Sequence, residues 1–221
     1  MRKPVITPKA SRSRSRFHLS GPILALIVTT VLAAALSARA SLVLECGFGS
    51  LHQKAGTLFH GKCLERKEVV DGKPLPYTEY TFEVIQAVKG CKDRQGKVMK
   101  TITIRHAGTT KGRPRTDGLV EVPLRFGVPE YKVGEEVVLF LTRESRLGLC
   151  APVGLSQGKF SVVRKDRKLF VKNPKGRTLF QTVDTASFKE LARDEEKALT
   201  SGEKLIELRC FLSLCSKLTA R

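Results

Sequence analysis

Residues 135–142 read Glu135-Glu136-Val137-Val138-Leu139-Phe140-Leu141-Thr142, five apolar residues in a row behind two acids. The run is short for a helix and has no polar face, so it predicts a strand covered on both sides. Adjacent residues of an extended chain point to opposite faces. Glu135 and Glu136 therefore bracket the start of this strand and do not form a paired-carboxylate site.

Working outward, the flanking chain is also β-like. Tyr77 to Val88 alternates, with Tyr80, Phe82 and Val84 on one face and Thr81, Glu83 and Ile85 on the other. Residues 55–70 predict a strand that Gly61 interrupts as a bulge or bend. Residues 97–106 predict another, with Ile102 and Ile104 sharing a face. Asp71 to Pro74, residues 107–120 and Pro129 to Gly134 read as turns or loops. Downstream, Phe160 to Val163 and Lys168 to Val171 predict a hairpin around the polar turn Arg164 to Arg167. The character then changes. Ser187 and Glu190 fit a capping box before a helix over 188–199, striped by Phe188, Leu191 and Leu199. Ser201-Gly202 breaks it, and 203–218 reads as a second helix with Leu205, Leu208, Leu212 and Cys215 as its apolar side.

The N-terminus has a different logic. Residues 2–16 are basic and polar, residues 21–36 are apolar and uncharged, and Ala38 and Ala40 stand at the small positions of an A-x-A site. That layout predicts a signal peptide over 1–40, cleaved to leave Ser41 first. The apolar run has 16 residues, shorter than the roughly 20 of a spanning helix. The alternative is an uncleaved membrane anchor. Export makes the six cysteines, Cys46, Cys63, Cys91, Cys150, Cys210 and Cys215, disulfide candidates. Their pairing stays open, and a buried free thiol is the other reading of each. Cys210 and Cys215 would point about 140° apart on a helix, so they are not expected to bond each other.

The net charge is +19, and seven of the positive charges, Arg2, Lys3, Lys9, Arg12, Arg14, Arg16 and Arg39, fall in residues 1–40, which hold no acid. The rest keeps +12, the 19 less those seven. Lys111, Arg113, Arg115 and Arg125 gather around the long loop, and Arg164, Lys165, Arg167 and Lys168 around the last hairpin. They are candidate anion-binding residues, to be weighed against a merely solvated surface. Aromatic residues for base stacking are few, and export argues against nucleic acid. The anionic partners that remain are glycan, an envelope polymer or an acidic protein.

Nothing points to catalysis. His52, His60 and His106 lack metal-site spacing, and no nucleophile elbow or phosphate-cradling loop occurs. No catalytic residue, metal ligand or cofactor is expected. The two strand histidines read as ordinary half-exposed side chains.

Three segments together carry a resemblance: Tyr77 to Val84 with Val88-Lys89-Gly90; Val133 to Leu141; and Val153 to Phe160 with Asn173 and Leu179-Phe180. Over residues 55–181 the chain resembles a group of uncharacterised exported bacterial proteins and, more distantly, the netrin-like domains that include the tissue inhibitors of metalloproteinases. The resemblance implies a five-stranded OB-type barrel with disulfides and flanking helices. In those inhibitors a cysteine at the mature N-terminus chelates the target's zinc. Cys46 is the residue that would match, as a candidate inhibitory terminus. Ser41 to Glu45 stand before it, and Cys46-Gly-Phe lacks the second nearby cysteine of the inhibitor pattern.

The resulting expectation is a mainly β chain in three parts: signal peptide 1–40, OB-like closed or partly open barrel 41–181, and helical tail 182–221. Its expected function is that of an exported binding module, protease-inhibitor-like in its narrower form, with an extracellular protein such as a protease or an anionic envelope polymer as partner. The alternative is an envelope-associated structural protein held by its basic surface or by the uncleaved N-terminal segment.

Overall fold

The computed structural model describes residues 44–71, 75–114, 116–122, 127–174, 191–200 and 205–219. The signal-peptide reading, Arg115, Arg125, the Leu179-Phe180 pair and the Ser187–Glu190 cap lie outside them. Val43–Arg221 forms one compact unit.

The chain is mainly β. A short helix α1 (Phe48–Lys54) is followed by strands β1 (Thr57–Val69), β2 (Tyr77–Lys89) and β3 (Thr101–Ala107). A two-residue ladder pairs β4 (Arg113–Pro114), inside the stretch read as a long loop, with β5 (Val120–Glu121) at its end. Then come β6 (Glu136–Leu141), a 3-10 turn (Leu155–Gly158), β7 (Lys159–Lys165) and β8 (Lys168–Lys172). The C-terminal part holds α2 (Arg193–Thr200), β9 (Ile206–Glu207) and α3 (Leu208–Thr219). Two of the residues expected in the second tail helix thus form a strand: Ile206 pairs with Val171 and Glu207 with Phe170. The strand read over 97–106 starts only at Thr101, because Asp93 accepts hydrogen bonds from the main chain of Gln95 and Lys97 and holds a turn there.

Seven strands pair antiparallel in the order β3-β2-β1-β6-β7-β8-β9. The sheet is not closed by a ladder. The edge of β3 instead meets one point of the segment after β6: Cys150 N donates to Arg105 O at 2.9 Å.

β6 sits at the centre and is buried on both sides, as its apolar run predicts. Val138 and Phe140 face one core, with Phe48, Leu51, Leu58, Phe160, Phe211 and Leu214. Val137, Leu139 and Leu141 face the other, with Phe59, Tyr80, Phe82, Ile102, Ile104 and Tyr131. α1 and α3 cover the first face. Phe211 makes ring contacts with Phe48 and Phe160 there. Leu208, Leu212 and Cys215 of the expected tail stripe are buried in it.

Gly61 marks a bulge, as read: the β1–β2 register shifts between His60 and Gly61. A side chain at Gly61 would put its Cβ 2.4 Å from Glu83 O, which no other residue tolerates.

Candidate functional site

All six cysteines, Cys46, Cys63, Cys91, Cys150, Cys210 and Cys215, are free thiols, and none lies at disulfide distance from another. The disulfide framework expected from their even number is therefore not formed in this fold. The cores separate them: Cys46, Cys210 and Cys215 line the helical side, Cys63, Cys91 and Cys150 the other. Burial raises the thiols of Cys63, Cys91 and Cys210, pushes Cys150 up to about 11, and drives Cys215 higher still. A raised thiol is a poor nucleophile at neutral pH.

The histidines are buried, not half-exposed. His60 of β1 meets Glu136 of β6 at 2.7 Å and ties the two strands together. His52 of α1 is held neutral: burial first, then the Lys89 charge, lowers it to about 4.

His106 of β3 sits in the second core. Its Nδ1 lies 2.8 Å from Cys150 O, and a carbonyl can only accept, so Nδ1 carries the proton. In the neutral ring Nε2 then accepts from the Tyr131 hydroxyl at 3.3 Å. Tyr131 stands edge-on to Tyr80, with ring centroids 4.9 Å apart, and Lys159 Nζ lies 4.9 Å from the Tyr131 ring centroid. Burial pushes the Tyr131 hydroxyl well above its ordinary range. Lys159 is itself paired with Glu135 at 2.6 Å. This network joins β3, β7 and the 129–134 loop. Nothing in the sequence pattern marked it, because its members are scattered over five segments.

A second cluster positions the basic loop. Glu68, near the end of β1, accepts from Thr110 N at 3.0 Å, Lys111 N at 2.8 Å and Arg66 Nη2 at 2.7 Å. Burial raises this carboxyl, but the Thr110 and Lys111 hydrogen bonds and the Arg66 charge outweigh it and hold it below its usual value. The main chain of Lys111 is thereby fixed where the loop leaves β3, and Arg113 follows in β4.

Gln157 and Asn173, both within the segments that carry the resemblance, are structural. Asn173 Nδ2 donates to Gln157 O at 2.7 Å and to Lys159 O at 3.0 Å. Gln157 Oε1 accepts from Cys46 N at 2.9 Å, and its Nε2 donates to Leu44 O at 3.1 Å. Between them Gly158 runs so close that a Cβ would stand 2.7 Å from Val153 main-chain atoms. Cys46, the candidate inhibitory terminus, is only 8% exposed with its amide donated to Gln157.

The basic β7–β8 hairpin is the surface feature that stands apart. Arg164, Lys165, Arg167, Lys168 and Lys172 are exposed. Lys168 pairs with Glu207 at 3.2 Å. Among the described residues Arg164, Lys165, Arg167 and Lys172 form no ion pair. Of the loop group, Lys111 is exposed as well. Lys111 and the hairpin cations are thus at the surface on separate connections.

Among the described residues no group of three metal-ligating side chains occurs, and no helix is long and apolar enough to cross a membrane. Comparison with protein-family models, curated proteins and solved structures finds no match.

Proposed function

We propose that this chain is an exported, non-catalytic binding module whose partner is an anionic polymer or an acidic protein surface. The observation that carries the reading is the contrast in how its polar groups are used. His60, His106, Gln157, Asn173 and Glu68 each hold one segment of the fold to another. Four cations of the β7–β8 hairpin, Arg164, Lys165, Arg167 and Lys172, form no ion pair among the described residues and face solvent.

The OB-like barrel belongs to the same reading. Its support is the antiparallel order β3-β2-β1-β6-β7 around a shared inner core, with Cys150 touching the far edge at β3. The protease-inhibitor form of the reading would need a cut directly before Cys46 and release of its amide from Gln157, so the polymer-binding form is preferred.

Two measurements test it. N-terminal sequencing of protein from the native host should find Ser41 first, outside the cytoplasm. Retention of the intact Met1 form in the membrane fraction would favour the envelope-anchored structural protein instead. The mature chain should also elute at higher salt from a sulfated polysaccharide column than from a plain sulfonate exchanger of equal capacity. Identical elution from both would leave only a generally basic surface and sink the binding-module reading.

A further inference from the structure

The tip of the β7–β8 hairpin breaks two local rules at once. Lys165 of β7 pairs directly with Lys168 of β8 in the antiparallel ladder, and like charges placed opposite each other destabilise a strand pair. The two residues between them, Asp166 and Arg167, both have positive φ, 48° and 64°. Two such residues in a two-residue loop make the turn type that favours Asn or Asp first and Gly second. Asp166 suits its place. Arg167 stands where glycine would be free of strain.

Each feature makes the fold less stable, and each keeps a cation at the tip. Lys168 has one structural return, its pair with Glu207 at 3.2 Å, whereas Lys165 and Arg167 form no ion pair among the described residues; local rules broken without such a return point to positions held for function. Arg164 and Lys165 stand on opposite faces of β7, since adjacent strand residues alternate. With Arg167 at the turn and Lys168 across the ladder, the cations surround the tip.

We propose, resting on the binding-module reading above, that this strained tip is the contact element for an acidic polysaccharide. A ring of cations on a rigid ribbon suits a flexible chain bearing closely spaced sulfate or carboxylate groups, which can wrap around it. The two aromatic residues of the hairpin, Phe160 and Phe170, are buried and half-buried, so no fully exposed ring is offered for stacking bases. Glycan is thereby favoured over single-stranded nucleic acid.

The test uses the chain from Ser41 onward, size-defined heparin fragments, neutral dextran and an oligothymidine of equal charge. Arg167→Gly separates the roles. It should raise Tm by about 2–4 °C, the size of a relieved strain of this kind in a chain of this length, while weakening heparin binding about threefold. Lys165→Gln with Lys168→Gln should weaken it about tenfold. Lys92→Gln with Lys97→Gln, which removes two exposed charges from the 91–98 turn, should change it less than twofold. Dextran should not bind.

Heparin binding by the wild type that the hairpin variants leave intact would overturn the assignment to the hairpin and leave the binding-module reading standing. An equal loss from the Lys92 and Lys97 pair would overturn it too, because net charge alone would then account for binding. Oligothymidine binding as tightly as heparin would overturn the ligand class. A wild type that binds no anionic polymer would remove the binding-module reading itself.

Discussion

Gln157 Oε1 accepts a hydrogen bond from Cys46 N across 2.9 Å, joining positions 111 apart in the chain. Its amide nitrogen holds Leu44 O at 3.1 Å. One buried side chain thus fixes the segment that leads into α1, and Asn173 in turn fixes the turn that carries Gln157.

Gln157→Leu should therefore leave a buried amide and a carbonyl without partners. The expected loss is about 1–3 kcal/mol in denaturant unfolding. Limited proteolysis should cut near residues 44–46 faster than in the wild type. Unchanged cleavage there would mean that α1 alone anchors the segment.

His52 makes stability fall in acid. Its folded value is about 4, below the ordinary 6.5. The unfolded chain therefore binds the extra proton between those values. Stability from this group is full above about pH 6.5 and is lost as pH falls toward 4, by at most about 3 kcal/mol. His52→Gln should flatten that part of the profile. A wild-type stability that stays level from pH 7 to 4.5 would refute the account.

Glu68→Gln should loosen the loop it holds. Its neutral amide accepts hydrogen bonds less strongly, and the Arg66 charge pair is lost. Amide hydrogen exchange at Thr110 and Lys111 should speed up about tenfold, while exchange in β6 stays unchanged. Equal protection in both proteins would mean the loop is held by Thr78 Oγ1 on Gly108 O instead.

The cysteines offer a mass measurement. In this fold all six are free, so reduction of the native protein should leave its intact mass unchanged. Thiol reagents should label Cys210, the half-buried one, before Cys215, which is fully buried. A mass that rises on reduction would mean that the chain pairs cysteines by a rearrangement of the two cores.

Much of the sheet was legible. The apolar run of 137–141 declared a strand covered on both sides, and the alternation of Tyr80, Phe82, Ile102 and Ile104 declared which faces turn inward. These are local patterns, written with a period of one or two residues. The bulge at Gly61 was legible for the same reason. α1 was not foreseen: it is one short helix without a side-chain cap, and its stability comes from Phe48 and Leu51 packing on Phe140 and Phe211. β9 was missed because Ile206 and Glu207 fit a helix pattern as well as a strand until β8 offers an edge.

Local patterns along single segments, then, sufficed to determine the strands β1, β2, β3, β6, β7 and β8, the inward faces and the basic character of the loops, because each depends on neighbours a few residues away. Strand order, the neutral buried state of His52, the Tyr131–His106 network and the separation of the cysteines into two cores were decided only in the tertiary structure. They depend on which distant segments meet, and that is set by how two apolar faces of one sheet are each covered at once.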